Sequence, residues 1–461
     1  MNTIKLTITF ISLWLFLSAS GQEKMQLTIS QAQEYAVDHN KELENVRQDV
    51  NIAKHQYKEA RGQGLPQING TLDYSTNFNY EAELDFGGEQ NTQPPDINYA
   101  LLDPGDYEVL KFLEQMNSGG TSTIVMTDQS NAQVQLSQLI FGGQYWVGLQ
   151  TARIGQELAR QNVNVTQLDI KETVANTYQL ILVTQKIVDV LEKNIDNLKE
   201  VKRHTNNMYA AGLAEQTDVD QISVSISQLK NKKKSMERNV NLSYNMLRFQ
   251  MGLDSQKDIQ LTSSVDEVLN GSENLEILSD NFKVNQNPNY QIVQTQEQLQ
   301  KKQVDLQKWA FAPRLTGFYS YTEKIMTTGF DLSPKHAAGL SLNVPIFSSG
   351  TRKAKLEQAK IKLDKAQRSK ELMKEQLQIQ NNQLRYELTN AYDNYKTQQK
   401  NVKVARRVLE NVQNKYKQGM VSSIELTQTN SNYLEAESNF LNATLELMQT
   451  KLKLKKLYNQ L

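Results

Sequence analysis

Residues 351–461 contain no proline and a single glycine, Gly419, which divides an unbroken helical pattern into two pieces, 351–418 and 420–461. Before the glycine, apolar or small residues recur at intervals of three and four: Leu356, Ala359, Leu363, Ala366, Met373, Leu377, Leu384, Leu388, Ala391, Tyr395, Val402, Ala405, Leu409, Val412 and Tyr416. This is a coiled-coil seam, with polar residues such as Lys370 and Gln398 filling its gaps. It resumes at Leu426, Tyr433, Ala436, Phe440, Ala443, Leu447, Leu454 and Leu457. At about 1.5 Å per residue the first piece is roughly 100 Å long, too long for a compact globule.

Composition narrows the function classes. The 461 residues carry 51 basic and 51 acidic side chains, with no basic stripe to neutralise phosphates, so nucleic acid is not the expected partner. Cysteine is absent, which removes disulfides, thiolate metal sites, cysteine nucleophiles and a lipid-anchoring cysteine. His39, His55, His204 and His336 are scattered without ligand spacing, and there is no glycine-rich phosphate loop. Neither an enzyme nor a cofactor or metal site is expected.

Residues 1–21 read as a signal peptide: Lys5, an apolar run from Leu6 to Leu17, then Ser18, Ala19, Ser20 and Gly21. Beyond them no apolar window reaches the length of about 18 residues that a membrane helix needs. The mature chain is expected to be exported without such a helix.

The first mature helix is expected over 30–62, with Ser30 and Gln33 as a capping box. Period two then replaces the helical period. Ile68, Gly70, Leu72, Tyr74, Thr76, Phe78 and Tyr80 alternate with Asn69, Thr71, Asp73, Ser75, Asn77, Asn79 and Glu81, predicting one strand over 67–82. Transmembrane barrel strands alternate in this way. A polar loop over 83–130 follows, in which Asp103 and Pro104 could open a short helix. Further strands are expected at 131–141, 314–324 and 336–347, and further helices at 144–211, 213–251, 287–312, 351–418 and 420–459. The segment 253–284 is mixed.

The order of elements occurs twice. Leu65-Pro66-Gln67-Ile68 matches Ala312-Pro313-Arg314-Leu315 at an offset of 247, and Tyr209-Ala210-Ala211-Gly212 matches Tyr416-Lys417-Gln418-Gly419 at 207. The chain is an internal duplication, 22–252 and 285–461. In each half the two short helices together nearly match the long one in length, so a short helix descending from the strands can meet end to end the one rising from the glycine tip. Four membrane strands cannot close alone, so copies of the chain must complete them. Asp73, Asn77, Asn79 and Ser320 would then line water. Tyr74, Phe78, Tyr80, Tyr319 and Tyr321 would face lipid, with Tyr145, Trp146, Trp309 and Phe311 as aromatics at one membrane interface.

The segment Gly339-Leu340-Ser341-Leu342-Asn343-Val344-Pro345-Ile346-Phe347, followed by Gly350, resembles the signature strand of the TolC family of outer-membrane efflux proteins. The weaker copy over 135–143, the strand starts at Pro66 and Pro313 and the two glycine tips resemble it too. The resemblance implies a mixed α and β membrane protein, four barrel strands plus long coiled-coil helices per chain. It implies a homotrimer: a twelve-stranded outer-membrane β-barrel continued by a twelve-helix periplasmic α-barrel. It further implies that a periplasmic adaptor and an inner-membrane pump dock on this exit duct, the adaptor at Gly212, Leu213, Ala214, Gly419, Met420, Val421 and Ser422. Asp218, Tyr416 and Glu425 match the periplasmic gate, Asp218 lying near Tyr416 and Glu425 forming a lumenal acidic ring. Val421 stands where a gate-locking arginine can occur and Gln428 where a second acid can. An exported coiled-coil scaffold is the competing reading, and it leaves the strands and the duplication unexplained.

Overall fold

The computed structural model describes residues 24–78, 80–85, 110–111, 121–126, 128–273, 275–326 and 334–461. The expected signal peptide and Asn79 lie outside these residues, as does the helix expected at Asp103 except for 110–111. Two compact units are distinguished, one of residues 1–54, 154–300 and 362–461, the other of 55–153 and 301–361.

The first unit is helical. After β1 (Met25–Leu27) come α1 (Ile29–His39) and α2 (Lys41–Gly62), and the glycine tips join α3 (Gly143–Ala210) to α4 (Gln216–Gln250) and α7 (Thr351–Lys417) to α8 (Ser423–Leu457). Between the halves lie β6 (Ile259–Leu261), α5 (Val265–Glu273), two short 3-10 turns and the start of α6 (Pro288–Trp309). β6 pairs in parallel with β1, linking the start of the mature chain to the stretch that read only as mixed. Along α7 the buried positions Leu377, Leu384, Leu388, Ala391, Tyr395, Val402, Leu409, Val412 and Tyr416 follow the seam. Lys370, a polar gap-filler, meets Glu297 of α6 at 2.5 Å.

Three helix boundaries differ from the sequence reading. The helix expected over 30–62 is two helices, because Asn40 takes an extended conformation (φ −67°, ψ 125°). The capping box is Thr28 with Gln31 rather than Ser30 with Gln33: Gln31 N donates to Thr28 Oγ1 and Thr28 N to Gln31 Oε1, while Gln33 reaches the carbonyl of Lys171. The return helices start at Gln216 and Ser423 rather than at 213 and 420, because each tip first closes a C-cap.

Asn40 also explains how helices meet end to end. Its Oδ1 accepts from Leu43 N, capping α2, and its Nδ2 donates to the carbonyl of Gln250 at 2.7 Å, closing the end of α4. Asn287, its counterpart under the offset that aligns Pro66 with Pro313, repeats this: Oδ1 accepts from Asn289 N and Tyr290 N, and Nδ2 donates to Leu457 O at 3.0 Å. One side chain thus satisfies orphan groups of both helices at each junction. The C-caps repeat too, since Gly252 and Asn459, equivalent under the offset that aligns the two tips, both take positive φ.

The second unit holds an antiparallel sheet in the order β2-β5-β7-β8, with β2 at Gln67–Ser75, β5 at Gln129–Phe141, β7 at Arg314–Met326 and β8 at His336–Asn343. The strand expected over 67–82 stops at Ser75. Phe78 turns the chain at φ 50°, and β3 (Tyr80–Asp85) pairs instead with β4 (Thr121–Met126), so 83–130 is not all loop. The strand expected to reach 347 ends at Asn343, ahead of Pro345, which cannot donate a ladder bond.

Candidate functional site

Each glycine tip closes by the same geometry. Gly212 N donates to Tyr209 O and Leu213 N to Met208 O; Gly419 N donates to Tyr416 O and Met420 N to Lys415 O. Both glycines sit at positive φ, +75° and +72°, the left-handed conformation that ends a helix and that a β-carbon disfavours. The restarts differ. Ser422 Oγ accepts from Glu425 N at 3.2 Å, whereas at the first tip the Asp218 carboxylate accepts from Glu215 N at 3.0 Å.

Asp218 also ties one tip to the other. Its Oδ1 lies 2.5 Å from Ser423 Oγ, which is 2.9 Å from Gln221 Oε1. A hydroxyl has one proton, and the ionised carboxylate is the stronger acceptor. Nearby, Thr205 Oγ1 donates to Val201 O, so the Tyr416 hydroxyl, 2.9 Å away, is the donor to Thr205. Burial raises the Tyr416 phenol above its ordinary value, and the Asp218 charge adds to this. Higher up, Asn194 and Asn430 exchange two side-chain bonds of 2.7 and 3.0 Å, both residues being buried. Ile195, Leu198, Val201, Ile222, Ile226, Leu409, Val412 and Leu426 pack around these groups. On the second hairpin, Arg406 Nη2 and the Tyr433 hydroxyl both donate to Glu437 Oε1 at 2.7 Å. Burial, then the Glu437 partner, pushes the Tyr433 phenol up to about 12.

The structure therefore places Asp218 and Tyr416 in one cluster but not Glu425. The Glu425 side chain is exposed and, among the described residues, engages no partner. Leu213, Met420 and Ile424 project into solvent at the tips, Ala214 is half-buried and Val421 leans on the core. Thr205, Gln221, Ser423 and the Asn194–Asn430 pair were not foreseen. A signal was present: Asn430 and Glu437 occupy seam positions between Leu426, Tyr433 and Phe440, and a polar residue at such a position fixes partner and register.

In the sheet unit, opposed residues share a face, so the pairs Ile68–Leu136, Gly70–Val134, Val134–Tyr321, Leu136–Tyr319, Gly317–Leu340 and Leu315–Leu342 define one apolar face. Asn69–Gln135, Thr71–Gln133, Asp73–Asn131 and Gln135–Ser320 define a polar one. Ile68, Leu72, Tyr74, Leu340 and Leu342 are exposed, a contiguous apolar surface of the kind that marks a membrane or partner contact. Along this face Tyr74 donates to Asp128, Tyr319 bonds His336 and Tyr321 donates to Glu323, three of the tyrosines expected to face lipid. Where the strands join the helices, Tyr145 packs on Gly64 and Trp309 on Gly143, where any β-carbon would clash, so these two aromatics also hold the junction. Trp146 and Phe311 are exposed, Phe311 with the Arg352 guanidinium 5.9 Å from its ring. Among the described residues, no helix is long and apolar enough to cross a membrane and no acid or histidine cluster could hold a metal.

The fold has close solved counterparts. The Campylobacter jejuni CmeC outer membrane channel aligns at a TM-score of 0.69 with 15% identity, covering 94% of this chain and 85% of its own. VceC, an outer membrane protein of Vibrio cholerae, aligns at 0.68 with 14% identity (93% and 95% covered), and the open-state MtrE channel of Neisseria gonorrhoeae at 0.67 with 17% (93% and 88%). No curated protein sequence matches. The family model described as outer membrane efflux protein matches residues 33–253 and 284–460, nearly the whole of both repeats, and the chain belongs to that family.

Proposed function

We propose that this chain is one protomer of a homotrimeric exit duct in the outer membrane, which a periplasmic adaptor and an inner-membrane pump open by docking. The observation that carries this reading is the four-stranded sheet, apolar on one face and polar on the other, whose edge strands β2 and β8 have no partner among the described residues. An open edge cannot persist in lipid, so further copies complete the barrel, with the apolar face outward and Asp73, Asn131 and Gln133 facing water. Tyr74, Tyr319 and Tyr321 then lie on the lipid side, and Tyr145, Trp146, Trp309 and Phe311 sit at one membrane interface.

Gating belongs to the tips. Asp218–Ser423 and Tyr416–Thr205 hold the two hairpins of one protomer together in the resting state, and Glu425 faces the entrance, where it favours cations. The exposed Leu213 and Met420, on the turns set by Gly212 and Gly419 and flanked by Ala214, Val421 and Ser422, offer the adaptor an apolar contact. The duct carries no catalytic step. The test is mass in detergent together with single-channel conductance in planar bilayers. Trimer mass with small, cation-selective openings is expected; a water-soluble protein without bilayer activity overturns the reading and favours a scaffold.

A further inference from the structure

Where the foot of the sheet meets the ends of α2, α3 and α6, the chain encloses a cavity of about 430 Å³, within the range of about 300 to 1,000 Å³ usual for small-molecule sites. The strands give it their polar face. Gln67 stands opposite Ser137 and Leu139 opposite Thr316, in step with the polar pairs Asn69–Gln135 and Gln135–Ser320. Gln63 and Gln144 add amides from the helix ends. Arg314 belongs to the same face, two positions before Thr316 and opposite Asn343, and it is the one charged side chain among the described residues that line the cavity. It is exposed and, among the described residues, engages no partner.

The duplication shows that this cation does not build the corner it stands on. The offset that aligns Pro66 with Pro313 puts Gln67 at the position of Arg314. Both corners close by the same three backbone bonds: Gln63, Gly64 and Leu65 donate to Glu59, Arg61 and Gly62 in the first repeat, and Ala310, Phe311 and Ala312 to Leu306, Lys308 and Trp309 in the second. Gln67 tightens the first corner further, its Nε2 donating to Gly62 O at 2.9 Å and Leu65 O at 3.2 Å. Arg314 adds no such bond. A guanidinium left free in a cavity without an acid is a ready partner for a carboxylate, because its planar fork can hold both oxygens at once.

We infer that the cavity at Arg314 binds carboxylate-bearing small molecules in transit, the guanidinium taking the carboxylate and the Gln63 and Gln144 amides the polar body. This rests on the exit-duct reading, which turns the polar face toward the bore and repeats the cavity in every copy. A ring of cations then stands at the foot of the barrel, opposite in sign to Glu425 at the tips.

The test is the block of single-channel current in planar bilayers by sodium succinate and by 1,4-diaminobutane, four-carbon chains of opposite charge. Each is added to both sides, so that the site can be reached from the barrel without passing the acids of the tips. Wild-type protein, Arg314→Gln and Arg314→Lys are compared, each first weighed in detergent to show the same assembly. Glutamine is the residue that the first repeat carries at this position, so that variant is expected to fold. Succinate is expected to block the wild type more strongly than the diamine does. Its half-blocking concentration should rise at least about tenfold in Arg314→Gln, as for loss of a charge-assisted bidentate pair, with Arg314→Lys recovering only part. Wild-type currents that succinate blocks no better than the diamine, or equally in Arg314→Gln, overturn the site and leave the duct standing. Full recovery by lysine overturns carboxylate recognition in favour of a plain charge effect. If neither wild type nor variants carry current, the exit-duct reading falls and the site in transit falls with it.

Discussion

Where the second helical hairpin carries Glu437, buried between Arg406 and Tyr433, the first carries Lys230 at the equivalent position, with Lys199 and Ile226 in place of the arginine and tyrosine. Among the described residues Lys199 pairs only with its own neighbour Asp196 on the surface, and Ile226 lies in the core. The tips diverge in the same way: Asp218 is bonded across to Ser423, while its equivalent Glu425 is bare. Duplication has preserved the apolar seam and let the polar positions specialise. The second hairpin is fastened within itself, and the first contributes the carboxylate that fastens the two together.

That contrast can be broken at several points. The largest effect on stability is expected from Arg406→Ala, which leaves the buried Glu437 carboxylate with only a phenol donor. A loss of about 2 kcal/mol is expected, within the range for hydrogen bonds to charged groups, whereas Lys199→Ala on the first hairpin changes stability by less than about 0.5 kcal/mol. Thermal unfolding of the two variants side by side measures the difference. Asp218→Ala removes the bond to Ser423 and the acceptor for Glu215 N, costing about 1 to 2 kcal/mol; its sharper readout is conductance, expected to rise as the two hairpins separate.

Alkaline titration isolates the second hairpin. Tyr433 has its folded pKa raised to about 12 from the ordinary 10.0, so its contribution is complete below pH 10 and is lost as pH climbs from 10 toward 12. Tyr433→Phe should remove that part of the alkaline loss, read as unfolding midpoints between pH 9 and 12. The smallest structural effect belongs to Glu425→Ala, expected to leave stability within about 0.5 kcal/mol while reducing cation selectivity in bilayers. If Glu425→Ala raised conductance as much as Asp218→Ala, the division of labour between the two acids would be wrong.

The elements most legible in the sequence were those with a long, regular period. Leu377, Leu384, Leu388 and Tyr395 declare the α7 seam, Ile68 to Tyr74 declare a two-faced strand, and Gly212 and Gly419 declare the turns. Local competition hid the rest. Asn40 carries no proline or glycine signal beside it, and only the carbonyl of Gln250, far away in sequence, shows why the helix stops there. Thr28 outcompetes Ser30 as a cap because β1 ends just before it. Near the glycine tips, Asp218 and Tyr416 were visible through resemblance, but Thr205 and Ser423 are ordinary surface residue types whose contacts exist only where two hairpins cross.

The asparagine junctions have a consequence for how such a chain can change in length. Within α3 or α7, inserting one residue rotates everything beyond it by about 100° and turns a covered stripe toward water. At Asn40 and Asn287 the helical column is already cut and rejoined by a single amide, so residues added between α4 and α6 alter no helical phase. Insertions are therefore best tolerated in the exposed turn at Asp254, Ser255 and Gln256, ahead of the β1–β6 pairing and the buried Ile259, Leu269 and Ile277, where the chain can lengthen while both columns keep their register.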